Sequence, residues 1–128
     1  LNTTPKVLVC ITPQSNSHRL IQKAAAIAEE KQGELNVLHI EKGSNVFATK
    51  ESPKLLQTLF EYSAQFGGTC HAVCGEDVPA AMVAFMKSER IACVVFGEPP
   101  VGQAGVPAIV ETVQMALPQL EMRMIPRE

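Results

Sequence analysis

The chain has 128 residues, 46% of them hydrophobic and 19% charged, with a formal net charge of −2 and a pI near 5.9. That length suits one domain with a sizeable core, and the composition excludes a disordered chain. The charge gives no electrostatic footing for nucleic acid or an anionic membrane surface, and no apolar run approaches the ~20 residues of a membrane-spanning helix.

The chain opens at Leu1 rather than Met and is expected to be processed, or cut from a longer protein. Its first apolar run predicts a strand over Lys6–Thr12, followed by a polar turn and a helix marked by Leu20, Ile21, Ala24, Ile27 and Ala28. A second strand is expected at Glu34–Glu41, then a helix carrying Leu55, Leu56, Leu59, Ser63 and Phe66. The third strand is Thr69–Cys74. Asp77 is the expected N-cap of the next helix, with Pro79 tolerated in its first turn and Val78, Met82 and Phe85 on its apolar face. Ile91–Phe96 forms the fourth strand, "GEPPVGQAG" (97–105) the loop after it, and Ile109, Val113, Ala116 and Leu117 the last helix before a strand at Leu120–Ile125.

Strands alternating with helices imply an α/β fold with an open parallel sheet and right-handed crossovers. "VLVCI" and "IACVVF" are continuously apolar, as strands covered on both faces should be, whereas Glu121 and Arg123 alternate with apolar residues in "LEMRMI". Strands one and four are therefore central, and the expected order is 3-2-1-4-5. Ligands bind such sheets beyond the carboxyl ends of the strands, where neighbouring connections diverge to opposite faces. Thr12–Ser17 and Gly97–Gly105 are the two lips of that crevice.

No Asp or Glu occurs from Lys6 to Ala28, and the first helix begins with Ser15, Asn16, Ser17, His18 and Arg19. Free backbone N–H groups, hydroxyls and the helix dipole favour an anion there, with Arg19 and Lys23 nearby. Helix capping by Ser15 or Ser17 is the simpler reading of the same residues, and the two coexist. On the facing lip Gly97, Gly102 and Gly105 permit close backbone approach, while Glu98 repels phosphate and Pro99 and Pro100 cannot donate. No P-loop is present, since no Gly-Lys-Ser/Thr follows.

His18, His39 and His71 are scattered over three elements, so no catalytic set is visible; His39 on its apolar strand reads as a packing residue. Cys10, Cys70, Cys74 and Cys93 lie in or beside strands and are expected to be reduced, mostly buried and free of metal. Cys70, His71 and Cys74 do not form a metal set, because alternate strand residues share a face and His71 falls on the other one.

The order and spacing of "VLVCITPQSNSHRLIQKAAAIAEE", "LNVLHIE", "VVFGEP" and "ALPQLEMRMIP" over essentially the whole chain resemble the universal stress protein (UspA-like) family. More narrowly, they resemble the stress-protein-like cytoplasmic domain of KdpD-type potassium sensor histidine kinases. Nucleotide-binding relatives place an acid at the end of strand one and a G-x-x-G loop ending in G-S/T after strand four. Here Thr12 stands at the acid's position, and Gly105 is followed by Val106. Relatives that bind cyclic di-AMP carry S-x-S and then F-T-A-x-Y; the matching positions are Thr12, Gln14 and Leu35–His39.

The resemblance implies a single domain over residues 1–128, cytoplasmic and non-enzymatic, that senses or regulates in potassium or osmotic two-component signalling. The alternative is a nucleotide-binding stress protein with a diverged loop; a small hydrolase is a third reading that no nucleophile–base pair supports. The ligand candidates are Thr12, Gln14, Ser15, Ser17, His39, Gly97, Gly102 and Gly105, for weak ATP, cyclic di-AMP or an anion. The implied partners are the other domains of a sensor kinase and a second copy joined through the fifth strand.

Overall fold

A computed structural model describes residues 4–11, 17–42, 52–97 and 106–126. Its element order is β1 (Lys6–Cys10), α1 (Ser17–Glu30), β2 (Glu34–Lys42), α2 (Ser52–Ala64), β3 (Thr69–Gly75), α3 (Val78–Glu89), β4 (Cys93–Gly97), α4 (Val106–Ala116) and β5 (Glu121–Ile125). The sheet has five strands in the order β3-β2-β1-β4-β5, and every pair is parallel. The expected order is borne out, and its cause is visible in burial. Val7, Leu8 and Val9 of β1 and Cys93, Val94 and Val95 of β4 are all at 0% exposure, so the two innermost strands are sealed on both faces.

Strand alternation divides these side chains between two cores. Val7, Val9, Leu35, Val37, Cys93 and Val95 meet Ile21, Ala24 and Ile27 of α1 and Leu56 and Leu59 of α2. On the opposite face Leu8, Leu38, Val94 and Phe96 meet Met82 and Met86 of α3 and Val113 of α4. Phe66, expected on the second helix, lies beyond its end and is 42% exposed. The helix stops at Ala64 because Gly67, at φ 73, turns the chain back and Gly68 N–H donates to the Ser63 carbonyl at 3.1 Å.

Two further turns set the strand ends. After α1, Gly33 N–H donates to the Ala28 carbonyl at 2.7 Å, and Glu34 N–H donates to the Pro5 carbonyl at 2.8 Å, which starts β2 level with β1. A Cβ on Gly33 would collide with that same Pro5 oxygen. At α3, the Asp77 carboxylate accepts from Ala80 N–H at 3.1 Å, as expected of the cap. The helix ends on Arg90 in the left-handed region, φ 55, where a side chain costs about 1 kcal/mol relative to glycine.

Gly33→Ala is therefore expected to lower unfolding free energy by about 2 kcal/mol or more, and Arg90→Gly to raise it by about 1 kcal/mol. Urea denaturation read by circular dichroism checks both signs.

Candidate functional site

β1 and β4 are neighbours, yet α1 packs on one face of the sheet and α4 on the other. In open parallel sheets ligands bind beyond the carboxyl ends of two such strands, which places the candidate site past Ile11 and Gly97. Of the sequence-derived candidates, Ser17, His39 and Gly97 are described and lie at this carboxyl end of the sheet. Thr12, Gln14, Ser15, Gly102 and Gly105 lie outside the described residues, as do Asn16, Glu98, Pro99 and Pro100.

Ser17 is the first residue of α1 and only 1% exposed, so its side chain faces inward at the helix start. Gly97 faces α1. A Cβ built on it would stand 3.0 Å from both methyl carbons of Leu20, so the space its missing side chain leaves is taken by the helix. Its need for glycine thus has a packing cause on this face, one that the loop's glycine content could not reveal.

His39 is 2% exposed and sits on the α1/α2 face, the face of Val37 in the same strand. Its Nδ1 lies 3.3 Å from the Ile11 carbonyl oxygen and its Nε2 2.8 Å from Oε2 of Glu41. A carbonyl only accepts, so Nδ1–H donates to Ile11. Nε2 then either donates to the Glu41 carboxylate or accepts from a protonated Glu41. The ring is thereby a strut: it pins Ile11, the residue just past β1, to the end of β2. Sequence reading took His39 as a packing residue without its partner, although the two-residue spacing to Glu41 on a strand was the available signal.

The other histidines are engaged elsewhere. His18 of α1 stacks edge-on against Tyr62 of α2, ring centroids 4.7 Å apart. His71 lies on the α3 face, its Nε2 3.1 Å from Oδ1 of Asn36 and its ring 4.8 Å from that of Phe85. Cys70 packs on the α2 side, as strand alternation requires, and no group of three or more possible metal ligands occurs among the described residues. A surface groove of about 750 Å³ exists at the opposite end of the sheet, lined by Ala25, Glu29, Gly33, Gln65 and Phe66 among others, far from the switch point.

The thiols are less buried than expected. Only Cys93 is fully enclosed; Cys10, Cys70 and Cys74 are partly accessible, and all four are free. Burial still pushes the Cys10 thiol up to about 12, and raises Cys70 and Cys93 as well. Such groups favour the neutral thiol and are poor nucleophiles at neutral pH.

Two outcomes follow from this geometry. His39→Phe leaves the Ile11 carbonyl and the Glu41 carboxyl group without their partner, and urea denaturation should show a loss of about 2 kcal/mol. For Cys10 the folded chain holds the proton that the unfolded chain releases near its ordinary value of 9.0. Its contribution to stability is therefore complete below pH 9.0 and declines as pH rises toward about 12. Chemical denaturation across that range should show a decline that Cys10→Ala reduces.

No protein-family model matches the chain. It is 32% identical over 92 residues to the sensor protein KdpD of Mycobacterium tuberculosis, covering 72% of this chain and 10% of that protein. The chain thus spans about a tenth of the length of the curated relatives it matches. A universal stress protein solved in complex with cAMP superposes with a TM-score of 0.70 at 15% identity, covering 99% of this chain and 100% of the other. The universal stress protein of Archaeoglobus fulgidus in complex with dAMP gives a TM-score of 0.64 at 17% identity, covering both chains in full. These likenesses establish the architecture that the strand order and the two cores already describe: the chain has the universal stress protein, UspA-like, fold and is similar in sequence to a segment of the sensor protein KdpD.

Proposed function

We propose that the chain is a non-enzymatic sensing or regulatory domain of the KdpD kind, acting in the cytoplasm in potassium or osmotic two-component signalling. The observation that carries this reading is the 32% identity to the sensor protein KdpD. Its partners are then the other domains of a sensor kinase. The geometry supports the absence of a chemical step, since His39 is committed to Ile11 and Glu41, and His71 to Asn36 on the opposite face. No helix among the described residues is long and apolar enough to cross a membrane.

Adenine nucleotide binding is the second reading, favoured by the cAMP and dAMP complexes of proteins with the same fold. The acid-free stretch from Lys6 to Ala28 and the start of α1 attract an anion. Against a complete nucleotide site stand Glu98, Pro99 and Pro100 on the facing lip, and Thr12 where the resemblance places an acid. The domain is then a weak anion binder, with phosphate or sulfate held on the order of millimolar.

Calorimetric titration with ATP, cAMP and cyclic di-AMP decides between the readings. Dissociation constants of about 100 μM or weaker are expected for each, with no phosphate released from ATP. Binding tighter than roughly 10 μM that Ser15→Ala abolishes would establish a working nucleotide site at the carboxyl end of the sheet instead.

A further inference from the structure

Among the described residues the sheet has two open edges, β3 and β5, and they are defended very differently. On β5, Lys31 Nζ donates to Glu121 Oε1 at 2.6 Å, Arg123 Nε donates to Glu121 Oε2 at 2.8 Å, and Arg123 Nη2 stands 3.7 Å from Glu30 Oε2. Charged side chains on an edge strand oppose pairing with another chain. β3 has none of these devices. Its seven residues, Thr-Cys-His-Ala-Val-Cys-Gly, contain no Asp, Glu, Lys, Arg or Pro, and among the described residues β2 is its only strand neighbour. Thr69 and Ala72 are exposed along it.

We propose that the β3 edge is a self-association surface, on which β3 of a second copy pairs antiparallel about a two-fold axis at Ala72. The sequence of the strand is complementary to itself in that register. Full overlap sets Thr69 against Gly75 of the copy, Cys70 against Cys74, His71 against Val73, and Ala72 against Ala72, so no charge opposes another. The same operation on β5, the strand through which the resemblance implies a second copy, overlaps Glu121–Ile125 fully only by setting Arg123 against Arg123, two like charges directly opposed on the axis, so β3 is the favoured edge. Ala72 meets its own copy on the axis, where two small neutral side chains share one face without crowding or charge. Seven paired residues make a small interface, and a dissociation constant on the order of tens of micromolar suits it.

This register also carries its own marker. Cys70 and Cys74 point to one face of β3, and directly opposed antiparallel residues lie roughly 4.5–5.5 Å apart at Cα, within disulfide range. Copper(II)–phenanthroline, which takes up the electrons of two thiols as their protons leave, should then give a covalent dimer. Cys70→Ser or Cys74→Ser alone should abolish that dimer, while Cys10→Ser and Cys93→Ser retain it. Sedimentation of the unmodified chain at about 200 μM should show reversible dimer. Ala72→Lys, at an exposed position, should weaken association roughly fivefold or more with an unchanged melting temperature, and Met124→Lys on β5 should leave it intact. A monomer throughout the concentration range, a dimer indifferent to Ala72→Lys, or one lost with Met124→Lys would overturn the proposal.

Discussion

Parallel pairing of β1 with both β2 and β4 is the constraint from which the remaining structure follows. The chain steps from β1 outward to β2 and β3, then returns to β4 on the other side of β1, and right-handed crossovers running in opposite directions put helices on both faces, so the side chains of β1 are excluded from water above and below. Val7, Leu8 and Val9 meet that requirement without a polar interruption, and their alternate side chains seed separate cores against α1 with α2 and against α3 with α4. Because α1 packs on one face and α4 on the other, the same pairing that buries β1 places the candidate ligand position at its carboxyl end. Stability and site share one cause.

Two contacts fix the strand ends on that side of the sheet. Leu20 fills the place of a side chain at Gly97, which keeps α1 close to β4. His39 joins the ends of β1 and β2 through Ile11 and Glu41, replacing water for each buried polar group. A buried polar pair of this kind contributes specificity of position more than net stability, since desolvation offsets much of its attraction.

The edges of the sheet carry a different logic. Lys31, Glu121, Arg123 and Glu30 place alternating charges along one side of β5, and mutual hydrogen bonding holds the Glu121 carboxyl group below the usual carboxylate range, through Lys31 first and Arg123 second. These groups are solvent-facing, so they direct association more than they stabilise the fold. β3 carries only neutral side chains and a central alanine. A chain that spans a tenth of its curated relatives presents, in these two edges, one guarded and one receptive boundary to whatever surrounds it.

Much of this architecture was legible in the residues. The alternation of apolar runs with helical patterns, the unbroken hydrophobicity of "VLVCI" and "IACVVF", and the charges of "LEMRMI" are local properties, and burial on two faces or one is written directly into them. So were the Asp77 cap and the separation of His71 from Cys70, which follow from strand and helix geometry alone. What sequence could not supply were contacts between residues far apart in the chain. Phe66 kept the helical spacing of α2, yet the reversal at Gly67 ended the helix and left the ring outside. Gly97 is a ligand candidate from its loop alone, and only the register of β4 shows that it also sits beneath Leu20 of a helix nearly eighty residues earlier in the chain. His39 and Ile11 became partners only because β1 and β2 pair in one register, and the opposition of Cys70 to Cys74 has meaning only once β3 is known to be an edge. Periodicity determines which face a side chain takes; only the packed sheet decides what it meets there.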